Sequence, residues 1–238
     1  MAIHSIKGLI FDFDGLLVET ESPAFQAWQE IFAEHGCELP LGTWAQRIGG
    51  TTGEFDPCVF LEEQIKRPVE CAVLVRRRWQ RKSELCANLP LLPGVGDYLS
   101  AARTLNLKLG LASSSPQEWV VAHLERLGLS TTFDCVVCAD DVSRIKPDPE
   151  LYQTALSWLG LRAEEVIAIE DSPNGVLAAT RAGLFCVVVP NALTGQLPLD
   201  HADLRLRSLA DLPLPALLEH VHTRRAGSTQ QRAQSSMR

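Results

Sequence analysis

The stretch "GLIFDFDGLLVETES" (Gly8–Ser22) begins as an apolar run typical of a buried strand and then places two carboxylates, Asp12 and Asp14, on either side of one phenylalanine. A carboxylate that directly follows buried apolar residues is costly to desolvate unless a cation compensates for it. This acidic pair at the end of a strand therefore indicates a functional site more strongly than a simple turn or helix cap.

Four further apolar runs resemble this first strand: "LKLGLA" (107–112), "CVVCA" (135–139), "VIAIE" (166–170) and "FCVVV" (185–189). Their near-continuous apolar character, without alternation, is typical of parallel strands that are covered on both faces. Helix-period segments that begin with proline and end with glycine lie between them. Alternating strands and helices predict an α/β fold with a doubly wound, Rossmann-like parallel sheet.

One section breaks this alternation. It contains helical stretches such as "SPAFQAWQEIFAEHG" and "VECAVLVRRRWQRKSELC" with no convincing strand between them. We therefore predict an α/β core formed by residues 1–20 and 91–222, with an inserted α-helical cap domain at residues 21–90. The segment from residue 223, "TRRAGSTQQRAQSSMR", is polar and without periodicity, which predicts a disordered tail.

The composition limits the class of protein. The chain has 238 residues, of which 46% are hydrophobic and 21% charged, and this balance is typical of a soluble globular protein. A net charge of -7 argues against a partner such as nucleic acid, which requires clustered positive charge. The start "MAIHSIKG" does not resemble a signal peptide, and no apolar run approaches the roughly 18 residues that span a membrane. We expect a cytoplasmic monomer with no membrane partner.

The seven cysteines are odd in number and scattered, so reduced thiols are expected. Cys135 and Cys138 form a C-x-x-C pattern, but residues three apart on a strand point to opposite faces. Without a second pair of cysteines or histidines at ligand spacing, two buried thiols are a better interpretation than a zinc or redox site.

Polar residues follow four of the predicted strands: Asp12 with Asp14, Ser113 to Ser115, Asp140 and Asp141 followed by Lys146, and Glu170 with Asp171. Ligands of parallel α/β sheets gather at the carboxyl ends of the strands, so these groups are expected at a common edge. Each also has a simpler interpretation as a cap or a solvated loop residue. For Ser115 and Ser172, capping is the preferred interpretation.

The carboxylates in this set cannot all be ionised close together without a counter-charge. Hard oxygen ligands of this kind suit Mg²⁺, which keeps several waters and typically shares its site with a phosphate. The same phosphate would give the serine hydroxyls and the lysine a partner. The pattern therefore indicates phosphoryl transfer.

Four motifs, "DFDGLLVETE", "LASSSP", "IKPDPELY" and "IEDSPNGVLAA", resemble those of the haloacid dehalogenase superfamily. The likeness is to the branch with a helical cap after the first strand, which includes β-phosphoglucomutase and many sugar-phosphate phosphatases. It extends from Gly8 to about Pro190, with the motifs in the family's order.

The resemblance implies catalytic roles for the acidic residues. Asp12 would be the nucleophile that forms an aspartyl-phosphate, and Asp14 the acid and base that serves the leaving group and then water. Mg²⁺ would be held by Asp12, the backbone carbonyl of Asp14 and Asp171, with Glu170 as a direct or water-mediated ligand.

The resemblance also implies a phosphate-binding set. Ser113 and Lys146 would bind the transferring phosphoryl group, with Lys146 also contributing to catalysis by stabilising charge. Ser114 and Gly15 would offer backbone N–H groups close by.

The expected function is Mg²⁺-dependent hydrolysis of a small phosphate monoester, such as a phosphorylated sugar or related metabolite. Asp14 favours oxygen-linked esters, since family members that cleave carbon–halogen or carbon–phosphorus bonds have another residue there. A phosphosugar mutase is the alternative, weakened because Ala24, Thr51 and Thr52 stand where β-phosphoglucomutase has a histidine and an arginine. A non-catalytic metabolite-binding or regulatory protein on the same scaffold is the third possibility.

The predicted cap has two features of interest for substrate binding. The basic run Arg76 to Lys82 is expected to be mostly a solvated helix face, with one cation turned inward that the sequence does not identify. Gly49 and Gly50 suit a loop that approaches the core when the cap closes.

Overall fold

The computed structural model describes residues 5–44 and 55–235, and its centre is a parallel sheet. The strands are β1 Gly8–Phe11, β2 Lys108–Ala112, β3 Cys135–Val137, β4 Val166–Glu170, β5 Phe185–Val188 and β6 Leu204–Arg205. Their order is β3-β2-β1-β4-β5-β6, and every adjacent pair is parallel. The predicted α/β fold is confirmed. The two-residue strand β6 was not predicted, because so short a segment carries no periodicity.

Strand β1 lies in the middle of the sheet, and its register decides what meets at the edge. Phe11 pairs with Leu111 on one side and with Ile169 on the other. Consequently the residues that follow β1, β2 and β4 leave the sheet at the same level. Alternate residues of β1 enter different apolar layers, with Leu9 and Phe11 in one and Ile10 in the other. Both faces of the sheet are therefore covered, as continuous apolar strands require.

Helices alternate with strands from residue 95 onward, as the sequence predicts, whereas the described part of residues 21–86 contains helices and no strand. The helices are α1 Glu21–Glu34, α2 Pro57–Ile65, α3 Cys71–Cys86, α4 Val95–Thr104, α5 Gln117–Arg126, α6 Glu150–Leu159, α7 Pro173–Arg181 and α8 Leu214–Ser235. Within residues 5–44 and 55–235, no helix has the length and apolar character needed to cross a membrane.

Helices α1, α2 and α3 form the helical insertion, which has an apolar cluster of its own. Trp28, Phe32, Trp44 and Leu61 are nearly or fully buried in this cluster, away from the sheet's two layers. The segment therefore contributes its own core above the sheet. The domain boundaries at residues 20/21 and 90/91 stay a prediction.

The segment from residue 223 differs from the prediction of a disordered tail, because α8 continues through it to Ser235. The segment contains arginine, alanine and glutamine, which favour helix, and no proline that would end it. A helix can thus continue where no apolar periodicity marks it.

The cysteines follow the prediction in the core and depart from it in the cap. Cys58 and Cys71, at the starts of α2 and α3, form a disulfide. The expectation of reduced thiols throughout was wrong at this pair, since sequence spacing does not reveal which cysteines meet. Cys135 and Cys138 are buried free thiols, and burial raises their pKa values to about 11 and about 12. Their interpretation as buried thiols is confirmed.

Candidate active site

A cavity of about 630 Å³ lies between the carboxyl edge of the sheet and the helical cap. Its core wall includes the following predicted site residues: Asp12, Asp14, Ser113, Ser114, Lys146 and Asp171. The structure therefore brings together at one cavity residues that are widely separated in the sequence.

Lys146 connects the strand ends at the floor of this cavity. Its buried ammonium group donates hydrogen bonds to Asp12 Oδ1, to Glu170 Oε1 at 2.6 Å and to the carbonyl oxygen of Ala112 at 2.8 Å. Burial by itself lowers the pKa of Lys146, but the charges of Asp12 and Glu170 outweigh it and raise the pKa. The lysine is therefore a fixed positive charge beside the carboxylates.

The buried carboxylates carry more negative charge than Lys146 alone can balance. One oxygen each from Asp12, Glu170 and Asp171 lies within 4.8 Å of the others. Burial, assisted by the charge of Glu170, raises the pKa of Asp12 to about 8 in spite of the nearby lysine. Burial and the charges of Asp12 and Glu170 also raise the pKa of Asp171 well above its usual range. A hard divalent cation fits this donor set, since it would supply the missing positive charge.

Glu170 differs from the other two carboxylates because other groups already engage it. It is fully buried and accepts hydrogen bonds from Lys146, from the Tyr152 hydroxyl and from the backbone N–H of Asp171. Asp12 and Asp171, in contrast, both line the cavity. These two are the better placed to meet a ligand or an ion directly.

Gly15 allows the backbone to approach Asp171. Its φ angle is +79°, and an added Cβ would lie 2.2 Å from Asp171 Oδ2, so a side chain here would be both strained and in collision. The same carboxylate oxygen accepts a hydrogen bond from Asn191 Nδ2 at 2.8 Å. Asn191 was not predicted as a site residue, although it follows β5 and polar residues after the other strands were used to find the site.

Asp14 belongs to the core wall but faces the cap, and its carboxylate accepts four side-chain hydrogen bonds. Its Oδ1 accepts from Thr20 at 2.6 Å, from Trp119 Nε1 at 3.0 Å and from Lys82 Nζ at 3.0 Å, and its Oδ2 accepts from Ser115 at 2.6 Å. Burial tends to raise its pKa, but the charge of Lys82 and the hydrogen bonds from Ser115 and Thr20 prevail and lower the pKa to about 2. Asp14 is therefore a fixed carboxylate in this arrangement.

Of these four donors, Thr20 and Trp119 were not predicted, Ser115 was misinterpreted, and Lys82 was predicted only as an unidentified cation. Ser115 was expected to cap a helix, but its hydroxyl binds Asp14 instead, whereas Ser172 does cap α7 through the N–H of Gly175 at 3.2 Å. Lys82 is an inward-turned cation of the basic run and is 4% exposed, as predicted for one unidentified member. Trp119 carried no chemical signal, because a tryptophan on an apolar helix face is usually core.

The two serines after β2 are placed differently. Ser113 is buried, and its hydroxyl oxygen accepts a hydrogen bond from the N–H of Ser115 at 3.1 Å. The Ser114 hydroxyl is also buried, and within the part of the chain that the structure describes it has no hydrogen-bond partner. Since Ser114 lines the cavity, this hydroxyl is available to a ligand oxygen.

Some candidates lie elsewhere. Asp140 accepts a hydrogen bond from the N–H of Gln117, the first residue of α5, at 2.6 Å. Asp141 accepts one from the N–H of Cys138 at 2.8 Å and so stabilises a local turn. Ala24 is buried in the apolar cluster of the cap. The predictions for Gly49, Gly50, Thr51 and Thr52 concern positions outside the described residues.

Comparison with known proteins identifies relatives over nearly the whole chain. A protein of Bacillus subtilis (strain 168) named "Putative phosphatase YhcW" is 46% identical over 218 residues, which cover 92% of this chain and 99% of that protein. The β-phosphoglucomutase of the same organism is 32% identical over 222 residues, covering 90% of this chain and 95% of the relative. The chain is thus similar both to a protein named as a phosphatase and to a mutase.

A solved structure of similar fold contains a sugar bisphosphate. It is a variant of CbbY from Rhodobacter sphaeroides in complex with xylulose-1,5-bisphosphate, with a TM-score of 0.74 and 29% identity, and the match covers 87% of this chain and 96% of that one. The family model for haloacid dehalogenase-like hydrolases matches residues 9–189, which include the site residues on β1, β2 and β4 and the intervening loops. The chain therefore belongs to the haloacid dehalogenase-like hydrolase family.

Proposed function

We propose that this protein is a Mg²⁺-dependent phosphatase that hydrolyses a small phosphate monoester, most suitably a phosphorylated sugar or related metabolite. The observation that carries the proposal is the convergence of Asp12, Lys146 and Asp171 at the floor of one cavity. The proposal is also supported by the similarity to the YhcW protein and by the sugar bisphosphate in the CbbY complex.

Asp12 is the proposed nucleophile. Its carboxylate oxygen attacks phosphorus and forms an aspartyl-phosphate as the bond between phosphorus and the ester oxygen breaks. Asp14 is a carboxylate before substrate binds, so it first takes up a proton from solvent, which the negative charge of the entering phosphate favours. Asp14 then gives this proton to the leaving oxygen, which departs as an alcohol. Asp14 then takes a proton from water, which attacks phosphorus, releases inorganic phosphate and restores the carboxylate of Asp12.

Asp12, Asp171 and the backbone carbonyl of Asp14 are the proposed holders of Mg²⁺. Glu170 would act through a water, because Lys146 and Tyr152 already engage its carboxylate. When bound, the metal supplies positive charge that offsets the charges of the carboxylates and of the substrate phosphate. This balance lets Asp12 be ionised at neutral pH.

The proposed phosphate-binding group consists of Ser113, Ser114 and Lys146. The N–H of Gly15, which was predicted to belong to this group, instead donates to the carbonyl oxygen of Val18 at 2.8 Å. Lys146 provides a positive charge whose position three hydrogen bonds fix. The buried Ser114 hydroxyl can bond to a phosphate oxygen that enters the cavity. Groups fixed before the substrate arrives stabilise the developing charge without reorganising, which is a main source of phosphoryl-transfer catalysis.

A phosphosugar mutase is the second candidate, favoured by the 32% identity to β-phosphoglucomutase. Against it, Ala24 is buried in the cap core and offers no group that could orient a sugar. A mutase would return the phosphoryl group to a second hydroxyl instead of releasing it to water.

The test is phosphate release from a panel of phosphorylated sugars and small metabolites, each assayed with Mg²⁺ and with a chelator. We expect metal-dependent release concentrated on one chemical group of esters. Isomerised sugar phosphate in place of free phosphate would favour the mutase, and no reaction by folded, metal-loaded protein would favour a binding protein.

A further inference from the structure

The contact between the cap and Asp14 involves a lysine enclosed by two tryptophans. Lys82 belongs to cap helix α3, and its ammonium nitrogen lies 4.4 Å from the ring centroid of Trp119 and 5.3 Å from that of Trp79. The two indole rings meet edge to face at 5.5 Å. Because Trp79 comes from the cap and Trp119 from core helix α5, the cluster joins the two halves of the cavity.

Two members of this cluster bond to the same carboxylate oxygen. Lys82 Nζ and Trp119 Nε1 each donate to Asp14 Oδ1 at 3.0 Å. Lys82 is 4% exposed and Trp119 is 9% exposed, so water does not compete freely for these bonds. An ammonium group between aromatic faces and a carboxylate is held by cation–π attraction and by charge together.

We propose that Lys82 and Trp119 are positioning residues for Asp14, which they orient toward the leaving oxygen of the substrate. This inference rests on the proposed function, in which Asp14 is the acid and base. Thr20 and Ser115 hold Asp14 from the core alone, whereas Lys82 makes its position depend on the cap. Correct alignment of the acid is therefore completed only when the cap lies over the core.

Substrates with different leaving groups can distinguish two roles of Lys82 and Trp119. These residues either orient Asp14 for proton transfer or only stabilise the fold. An alkoxide leaving group must receive a proton, so its departure depends on where Asp14 points. A nitrophenolate leaves without one. The parameter kcat/KM extends only through departure of the leaving group, so for p-nitrophenyl phosphate it does not include the later attack of water.

The experiment compares kcat/KM for p-nitrophenyl phosphate with kcat/KM for the alkyl phosphate that the wild type hydrolyses fastest, in the Mg²⁺-loaded full chain. Trp119→Phe removes the N–H and keeps an aromatic ring, while Lys82→Met removes the charge and keeps the aliphatic stem. We expect each to lower kcat/KM for the alkyl ester by about tenfold or more, since general acids contribute about 10²–10⁴-fold, and to change the nitrophenyl value far less.

The chain offers matched controls on the same or a similar helix. Trp158→Phe changes a tryptophan of α6 that is 55% exposed, and Arg81→Met changes an α3 cation that pairs at the surface with Glu30 and Glu84. Neither should alter the ratio of the two kcat/KM values. Lys82→Arg retains the charge and should recover part of the ratio.

The two rates come from one preparation, so any loss of folded enzyme lowers both equally and cancels in their ratio. A selective loss for the alkyl ester supports the proposal. An equal loss for both esters, or no loss for either, overturns the positioning role while leaving the phosphatase intact. Failure of the wild type to hydrolyse any ester would overturn the proposed function and this inference with it.

Discussion

Two regions of the cavity hold carboxylates in opposite electrostatic states. The floor consists of Asp12, Lys146, Glu170 and Asp171, and the seam with the cap consists of Asp14, Lys82 and Trp119. At the floor, burial and neighbouring carboxylates raise the pKa of Asp12 to about 8 although Lys146 is in contact with it. At the seam, burial is outweighed by Lys82 and by hydroxyl donors, which lower the pKa of Asp14 to about 2. The floor has less positive charge than its carboxylates require and therefore suits a cation, whereas Lys82 already balances the charge of Asp14 at the seam.

The difference teaches how one short strand end supplies two chemical roles. Asp12 and Asp14 are two residues apart, yet one faces the strand ends of the core and the other the cap. The floor depends on sheet register, while the seam depends on packing between α3 and α5. Variants that affect only one region should therefore have different signatures.

The largest expected effect is that of Asp12→Asn on turnover. It removes the proposed nucleophile, so phosphate release should fall by at least ~10³-fold, the scale seen when catalytic nucleophiles are removed. It also relieves crowding among buried carboxylates, so the melting temperature should not fall. Phosphate release and a thermal melt of the same sample check both points, and a wild-type rate would contradict the assigned role.

Lys146→Met should damage both activity and stability. Because Asp12 and Glu170 would remain buried without their cation, we expect a loss of about 3–5 kcal/mol in the free energy of unfolding. Chemical denaturation measures this loss. Lys7→Met is the control, since Lys7 pairs with Glu165 but is 55% exposed, and its loss should cost no more than about 1 kcal/mol. Equal losses for the two variants would refute the cationic role of Lys146.

The free energy of unfolding should depend on pH because the carboxylates of the floor are not fully balanced by Lys146. The pKa of Asp12 is raised from its ordinary 3.8 to about 8, so folded protein binds this proton more tightly than unfolded protein. In chelator, stability should therefore be greatest below about pH 4 for this group and fall as the pH rises to about 8, by up to about 1.4 kcal/mol per unit.

Asp14 should act in the opposite direction, because its pKa is lowered. Its contribution is present above about pH 4 and disappears as the pH falls toward about 2. Between pH 4 and 9, the change of the denaturant midpoint with pH should therefore come mainly from the carboxylates of the floor. Asp12→Asn should make the midpoint less dependent on pH. A profile that Asp12→Asn leaves unchanged would show that other groups cause it.

The smallest expected effect on turnover is that of the cap disulfide. Replacing Cys58 and Cys71 by serine opens a short loop and should cost about 2–3 kcal/mol of stability. Neither cysteine contacts the groups at the cavity floor that we assign to catalysis, so kcat should change little at temperatures where the variant is folded. A large loss of kcat in a fully folded variant would show that cap geometry controls the chemistry.

The sequence allowed the floor to be predicted because strand ends follow a simple rule. Five apolar runs identified β1 to β5, and polar residues at or just after the ends of these strands identified Asp12, Ser113, Glu170 and Asp171. Asn191 obeys the same rule and could have been found. The floor is thus set by local sequence and parallel topology.

The seam could not be predicted in the same way. The basic run indicated that one cation turns inward, but helix periodicity alone did not distinguish Lys82 from its neighbours, and Trp119 looked like an ordinary core residue. The Cys58–Cys71 pair was also missed, since disulfide pairing depends on tertiary packing. The helical residues after 223 were missed for a different reason, because their helix-favouring residues show no apolar periodicity. Contacts between residues that are far apart in the chain cannot be recognised from hydrophobic periodicity.

The central claim is that Asp12 receives the phosphoryl group. Rapid acid quenching of the enzyme during turnover, followed by peptide mass mapping, tests it most directly. The account predicts a phosphoryl group on the peptide that contains Asp12 in the wild type and none in Asp12→Asn. Turnover with the phosphoryl group on a different residue, or wild-type turnover by Asp12→Asn, would contradict it.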